Sequence, residues 1–225
     1  MYEGEHQLGD FIKGRLLFIE KWCKENKLDY NKTLEKIREE VDKLVKDEKK
    51  KEILEQKFFK GTILPTSHLP DWFDKIILEA MTYVLKGKKS PLYTKTSAIS
   101  CIPFEAGRFN AQRQAETVFK ALFAGKTPVE WLKTTFKALY RQCYGDEAGS
   151  GLILEEIDKY HYKLTLDHKH LEKASPLDCS TIIGYIYGAL EKLGAKDIKI
   201  IHEFCSTFEN SPYEKCIFEI FWNED

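Results

Sequence analysis

The chain has 225 residues, of which 35 are basic and 36 acidic, so its formal net charge is −1. This balance gives no support for binding a nucleic-acid polyanion or an anionic membrane through bulk charge. No apolar run approaches the roughly 20 residues of a membrane-spanning helix, and the N-terminus lacks the parts of a signal peptide, so we expect a cytoplasmic protein.

Apolar residues spaced three and four apart predict helices in the first part of the chain. One stripe runs through residues 8–23 and includes the aliphatic stem of Arg15. A second, more charged stripe covers residues 34–45. The N-terminal part is therefore expected to be helical.

The sequence LPTSHLP at 64–70 interrupts this pattern, because Pro65 and Pro70 cannot donate a helical hydrogen bond. We place a boundary here. It separates an N-terminal helical segment, residues 1–62, from a second unit, residues 63–225, and it is compatible with both packing as one compact unit.

Helical signals return after the boundary. Residues 71–87 read as a helix with Asp71 as N-cap, 88–109 as an irregular stretch or a short strand, and 110–125 as a helix again. The sequence TPVE, which starts at Thr127, combines a capping threonine, a proline at the first helical position and a glutamate three residues on.

The pattern changes to alternation near residue 150. Residues 149–157 and 159–166 predict a hairpin, 175–194 a helix, and 197–204 and 213–222 two further strands. The expected fold class is α+β: a helical N-terminal half followed by β-β-α-β-β, with a four-stranded, mainly antiparallel sheet packed on helices.

Four residues in the last part of the chain are candidate metal ligands. Cys205 and Cys216 bracket the turn between the final strands, His202 lies three residues before Cys205, and Cys179 lies in the first turn of the preceding helix. Zinc prefers four such ligands, and a helix N-terminus favours the thiolate that a metal requires. Since thiols stay reduced in the cytoplasm, a metal site is favoured over disulfides.

Alternatives to this ligand set remain at this point. In a regular strand His202 and Cys205 point to opposite faces, whereas Glu203 and Cys205 share one. Either the strand ends or bulges between them, or Glu203 is the ligand. A pair of reduced, buried cysteines and a hairpin disulfide are the other interpretations.

Residues 179–205, CSTIIGYIYGALEKLGAKDIKIIHEFC, resemble the metal-bearing segment of the 4-vinyl reductase domain, in particular the aromatic-sensing domains of phenol-responsive transcriptional activators. The helix pattern is matched by Gly184, Tyr185, Gly188 and Ala189, and the resemblance covers about residues 176–222.

The resemblance assigns the metal ligands residue by residue. The family's first cysteine falls on Cys179, its glutamate on His202, its second cysteine on Cys205 and its last on Cys216. Histidine replaces glutamate here, and the turn before the last cysteine is longer. Both departures are compatible with zinc.

The resemblance also implies a function. This superfamily is similar in fold to haem-based nitric oxide sensors and to vesicle-tethering subunits. It implies a structural zinc, a homodimer, and a hydrophobic or aromatic molecule held between the sheet and its helices. Candidate lining residues are Phe104, Phe109, Trp131, Phe136 and Tyr185, although aromatic residues at helical spacing are also typical of an ordinary core.

Other functions have less support in the sequence. Four protein ligands leave no open position on a metal for catalysis, and the tyrosine-serine-arginine signature of the haem sensors is not seen. His161, His168 and His170 are expected to be exposed rather than to form a second metal cluster.

Two alternatives to a sensor or carrier domain remain. One is a dimerising interaction module resembling the tethering subunits, and the other is a reductase-associated enzyme. A sensing signal would leave through a protein partner that the sequence does not identify.

Overall fold

The computed structural model describes residues 6–86, 101–117, 119–167, 175–207 and 211–223. Its first half is helical, as the apolar spacing predicts. The helices are α1 (Gly9–Glu25), α2 (Tyr30–Leu44) and α3 (Glu48–Leu54), which continues as a π-helix through Glu55–Phe59. Asp29 and Asp47 cap α2 and α3 by accepting hydrogen bonds from backbone N–H groups of the first turn.

A two-stranded sheet that the sequence analysis did not predict joins the N-terminus to the proline-containing segment. β1 (His6–Leu8) pairs antiparallel with β2 (His68–Pro70). The Gly9 N–H also donates to the Ser67 carbonyl oxygen at 2.7 Å. Residues on both sides of the predicted boundary share one core, which includes Ile12, Ile19, Ile37, Phe73, Ile77 and Ile102. The division at residue 62 stays a prediction.

The middle of the chain is helical as well. It contains α4 (Asp71–Lys86), α5 (Ile102–Glu116), a 3-10 turn (Lys120–Leu122), α6 (Pro128–Glu130) with its π-helical continuation (Trp131–Phe136), and α7 (Lys137–Ser150). The capping box at Thr127 forms as predicted. The irregular stretch expected over 88–109 is helical from Ile102 onward, and residues 87–100 lie outside the described residues.

The four-stranded sheet follows, and it confirms the predicted fold class. Its strands are β3 (Leu152–Asp158), β4 (His161–Leu166), β5 (Lys196–Phe204) and β6 (Cys216–Asn223), with α8 (Pro176–Lys192) between β4 and β5. They lie in the order β3-β4-β6-β5, and every neighbouring pair is antiparallel. The inner face buries Tyr162, Leu164, Leu166, Phe218, Ile220 and Trp222 against the helices.

Helix α8 lies against α5 at very short distance. A Cβ on Gly184 would lie 2.0 Å from the Phe104 carbonyl oxygen, and one on Gly107 would lie 2.2 Å from the Thr181 carbonyl oxygen. Glycine is required at such contacts because backbone meets backbone. This fixes the position of α8, which carries part of the candidate site. In the described part of the chain, no helix has the length and apolar character needed to cross a bilayer.

Candidate functional site

The four predicted metal ligands lie together where α8 meets the end of the sheet. Cys179 is in the first turn of α8, His202 is near the end of β5, Cys205 follows that strand directly, and Cys216 begins β6. All four side chains are buried, and their candidate ligand atoms lie within 4.8 Å of one another. Three separate elements therefore converge on one point.

The spacing of the sulfur atoms suits a shared metal ion. Cys216 Sγ lies 3.6 Å from Cys179 Sγ and 3.9 Å from Cys205 Sγ. Two sulfur ligands at about 2.3 Å from one tetrahedral zinc lie about 3.8 Å apart. Each of the six cysteines, all within the described residues, is a thiol without a disulfide bond.

A β-bulge explains how His202 and Cys205 reach the same side. The register of β5 against β6 shifts between His202 and Phe204, and β5 ends at Phe204. His202 is only 3% exposed, and its ring stacks on Phe218 with 4.1 Å between centroids. Glu203 is half-buried and does not belong to the cluster found among the described residues. The geometry therefore favours the imidazole over this carboxylate.

The thiols do not titrate alike. Hydrogen bonds from Cys179 and then Cys216 hold the pKa of Cys205 well below its ordinary range. Hydrogen bonding to Cys205, together with burial, raises the pKa of Cys179 well above its ordinary value. At Cys216, hydrogen bonding to Cys179 lowers the pKa, but hydrogen bonding to Cys205 and burial outweigh it, and the pKa is about 11. The three sulfur atoms therefore share protons through hydrogen bonds, and a metal that binds them as thiolates would displace those protons.

Neighbouring groups hold these sulfur atoms in place. The Thr207 hydroxyl lies 3.0 Å from Cys205 Sγ, and the Ser206 N–H donates to Cys216 Sγ at 3.3 Å. Such contacts orient ligands and stabilise negative charge on sulfur.

A small cavity lies further along the same helix. It lies between α1, α4, α7 and α8, and its volume is about 40 Å³. Its apolar and aromatic wall is formed by Phe11, Phe136, Leu139, Tyr140, Ile182 and Tyr185. The other lining residues are Arg15, Asp74, Cys143, Asp178 and Thr181.

A buried ion pair forms part of the cavity wall. Arg15 Nε and Nη2 donate to the two carboxylate oxygens of Asp74 at 3.0 and 2.9 Å. The side chains are 2% and 5% exposed. This two-point geometry is the strong form of an arginine–carboxylate contact, and it joins α1 to α4.

The protonation of two further lining residues is set by burial. Burial raises the pKa of the Cys143 thiol from 9.0 to about 12 and raises the pKa of Tyr185 well above its ordinary value. The Tyr185 hydroxyl donates to Gln114 Oε1 at 2.6 Å, and Gln114 Nε2 donates to Asp10 Oδ2 at 2.7 Å. Because their pKa values are raised, the Cys143 thiol and the Tyr185 hydroxyl are neutral at physiological pH.

The predicted lining residues divide into two groups. Phe136 and Tyr185 lie on the cavity wall. Three others pack elsewhere in the core: Phe104 against Tyr187, Phe109 against Phe18, and Trp131 against Phe123. Of these, Trp131 contacts the cavity indirectly, because its ring lies 5.8 Å from Phe136 and 6.1 Å from Tyr185.

Sequence reasoning missed the charged part of the cavity. Arg15 was assigned to the apolar stripe of α1 through its stem, and Asp74 was assigned no role. The sequence did contain a signal for this pair, because a charged residue lies within the apolar stripe of each of the two helices. Charged residues in a protein core are usually paired, so the two charges could have been expected to contact each other.

The three histidines at positions 161, 168 and 170 form no site in the part of the chain that the structure describes. His161 is half-buried rather than exposed; it stacks on Phe221 and its Nε2 lies 2.5 Å from Glu219 Oε2. His168 and His170 lie outside the described residues.

No protein-family model matches the chain, and none of the curated proteins matches it at a significant level. Solved structures do resemble it. A mutant H-NOX protein from K. algicida, in the Fe(II) unliganded state, is 13% identical, with coverage of 97% of this chain and 98% of that chain and a TM-score of 0.60.

Two other H-NOX structures also resemble the chain, with slightly lower TM-scores. A Cs H-NOX mutant carrying 4-cyano-L-phenylalanine is 15% identical, with 97% of each chain covered and a TM-score of 0.56. An H-NOX structure from work on heme distortion is 16% identical, with coverage of 95% of this chain and 94% of that chain and a TM-score of 0.55. At this identity the similarity establishes the fold alone.

The residues of this chain do not fit a heme in the cavity. Heme iron is held by histidine, a cysteine thiolate, methionine or a tyrosine. Among the described residues, no histidine or methionine lines the cavity. The cysteine and the tyrosines that line it, Cys143, Tyr140 and Tyr185, are buried side chains with no room for a porphyrin beside them. A cavity of about 40 Å³ is also far smaller than a porphyrin requires.

Proposed function

We propose that the chain is a small-molecule sensor or carrier domain of the 4-vinyl reductase type. In this proposal zinc binds Cys179, His202, Cys205 and Cys216, and a hydrophobic or aromatic molecule occupies the cavity. One observation carries the proposal: α8 supplies Cys179 to the thiol cluster and Thr181, Ile182 and Tyr185 to the cavity wall. A metal that fixes the start of α8 would therefore fix one wall of the ligand site.

The proposed zinc is structural. Thiolate and imidazole ligands suit zinc, and four protein ligands leave no position for a water or a substrate. The ion would fix the start of α8 to the ends of β5 and β6. Because zinc displaces thiol protons, its affinity should weaken as pH falls.

The proposed ligand requires movement of the cavity wall. An apolar cavity of about 150 Å³ binds benzene, whereas this cavity measures about 40 Å³. An aromatic ligand must therefore displace side chains such as Phe11, whose ring lies 5.3 Å from Tyr185. Such displacement is a means of transmitting the bound state to the surface.

The proposal also includes the location of the protein, its oligomeric state and its partner. We place the protein in the cytoplasm, as a homodimer whose signal passes to a further protein partner. Light scattering of the purified protein measures its mass in solution, and a monomer at micromolar concentration would contradict the dimer.

The central test is elemental analysis combined with native mass spectrometry on protein purified without chelator or an affinity-tag metal. We expect one zinc per chain and an added organic mass when a ligand is retained. His202→Ala and Cys216→Ser should lose the metal, whereas Cys23→Ala, a buried cysteine outside the cluster, should keep it. A wild-type protein without metal, with six titratable thiols, would overturn the zinc assignment.

A further inference from the structure

The charges around the cavity differ from those of a simple apolar pocket. Arg15 is the one cationic side chain among the described lining residues, and its partner Asp74 lines the same cavity. A second carboxylate, Asp178, also lines it and accepts a hydrogen bond from the Ser175 N–H at 2.8 Å. The cavity therefore holds one cation, its counter-ion and one further anion.

Cys143, Tyr185 and Thr181, which also line the cavity, add no charge to those of Arg15, Asp74 and Asp178. Burial keeps the Cys143 thiol and the Tyr185 hydroxyl protonated, so neither contributes charge. Thr181 is neutral, and its hydroxyl donates to the Leu177 carbonyl oxygen at 3.0 Å. A ligand entering the cavity therefore meets a positive charge that is already neutralised at short distance.

An anionic ligand has little to gain in such a site. Asp74 accepts two hydrogen bonds from Arg15, so a ligand carboxylate would compete with it for the same guanidinium. It would also lie close to one or two carboxylates in a poorly hydrated space, where repulsion between like charges is strong. Burying the ligand's own charge adds a desolvation cost. A neutral ligand of the same shape meets none of these penalties.

We propose that Asp74 determines the charge class of the ligand: by neutralising Arg15 within the cavity, it makes the site accept an uncharged polar or aromatic molecule and reject the corresponding carboxylate. This inference rests on the proposed function in one respect, namely that the cavity is the ligand site. Asp74 is then a specificity residue that acts by excluding anions.

The experiment compares isosteric probes that differ only in charge. Benzamide and benzoate serve as the aromatic pair, and formamide and formate as a pair that needs less room. Binding is followed by calorimetry and by the shift in melting temperature. For the wild type we expect the neutral member of a pair to bind at least about tenfold more tightly than the anion.

The variant Asp74→Asn keeps the shape of the side chain and removes its charge. We expect its affinity for the anionic probes to rise at least about tenfold, with Arg15 as the partner of the carboxylate. Glu116→Gln, which removes a carboxylate from the exposed end of α5, is the matched control and should retain the wild-type preference.

The outcomes separate this inference from the proposed function. Equal binding of benzamide and benzoate by the wild type, or no gain of anion binding in Asp74→Asn, would overturn the role of Asp74 while leaving a ligand-binding cavity. No binding of any probe to the wild type, together with stabilisation of Asp74→Asn by formate, would support the exclusion of anions by Asp74 and contradict the binding of uncharged molecules in the cavity. No binding to either protein would overturn both. If Asp74→Asn does not fold, the wild-type pair decides alone.

Discussion

Two buried polar groups, the thiol cluster and the Arg15–Asp74 ion pair, lie beside α8. They differ in whether the chain itself supplies every binding partner that they need. The thiol cluster holds three buried sulfur atoms and one imidazole whose candidate ligand atoms lie within 4.8 Å of one another, and a metal ion would use all four. The Arg15–Asp74 pair is complete as it stands, because each charge has its partner in the chain. Variants of the cluster should therefore respond to metal, whereas variants of the pair should not.

The largest expected effect comes from the cluster. Cys179→Ser leaves three ligands and should release the metal, with a loss of at least about 4 kcal/mol in the free energy of unfolding, since metal binding is coupled to folding. Urea denaturation with and without added zinc measures this loss, and elemental analysis measures the metal. The control Cys23→Ala should cost about 1 kcal/mol and retain zinc. Unchanged stability and metal content in Cys179→Ser would contradict the assignment.

The ion pair should give the next largest effect. Asp74→Leu leaves the Arg15 guanidinium buried without its carboxylate, which typically costs about 3–5 kcal/mol. The double variant Arg15→Met, Asp74→Leu should recover most of this loss, because an apolar pair avoids burying charge. Zinc content should stay at the wild-type level in both. If the double variant is as unstable as Asp74→Leu, the pair is not the source of the effect.

Helix α8, which links the thiol cluster to the cavity, provides the third test. Gly184→Ala places a Cβ 2.0 Å from the Phe104 carbonyl oxygen, so α5 and α8 must separate, at a cost of about 1–3 kcal/mol. Because α8 carries Cys179 of the thiol cluster and part of the cavity wall, zinc affinity and probe binding should weaken together. Gly61→Ala, where φ is +69° and nothing lies within 4 Å, is the control and should cost about 1 kcal/mol with neither binding changed.

The cavity should also leave a signature at high pH. The pKa of Cys143 is about 12 in the folded protein and 9.0 when unperturbed, because burial disfavours the thiolate. Between these values the unfolded chain releases the proton and the folded protein does not, so stability falls as pH rises, by about 1.4 kcal/mol per pH unit. Below pH 9.0 the effect is absent.

Comparison with Cys143→Ala isolates this contribution. Chemical denaturation at several pH values from 8 to 11 gives the free energy of unfolding at each pH. This free energy should fall less steeply with pH in the variant than in the wild type. An equal fall in both proteins would mean that the thiol is not held in its protonated form.

The two buried groups also differed in how well the sequence predicted them. The cluster was predicted because Cys179 lies at the start of α8 and Cys205 and Cys216 lie at the two ends of the final turn, although the sequence did not decide between His202 and Glu203. Arg15 and Asp74 are 59 residues apart on different helices, and nothing local in either stripe identifies the partner. Their pairing depends on how α1 and α4 pack, which periodicity does not specify.

Short and irregular elements were missed for a related reason. β1 and β2 have three residues each, too few for an alternating pattern, and tertiary pairing alone defines them. The start of α5 lies earlier than the predicted start at residue 110, at Ile102, and its first residues include Pro103 and Gly107. In the structure the proline occupies the first turn and the glycine allows contact with α8.

The smallest expected effect concerns the choice between His202 and Glu203. Sequence alternation allowed either residue as the ligand, and the bulge in β5 brings the imidazole into the cluster. Glu203→Ala should therefore change the free energy of unfolding by no more than about 0.5 kcal/mol and leave the zinc content unchanged, as is usual for substitutions outside a cluster. His202→Ala should lose the metal because its zinc affinity falls, and a competition titration with a chromophoric chelator measures that fall. If Glu203→Ala released the metal and His202→Ala did not, the carboxylate would be the ligand, and β5 would have to be regular through Cys205.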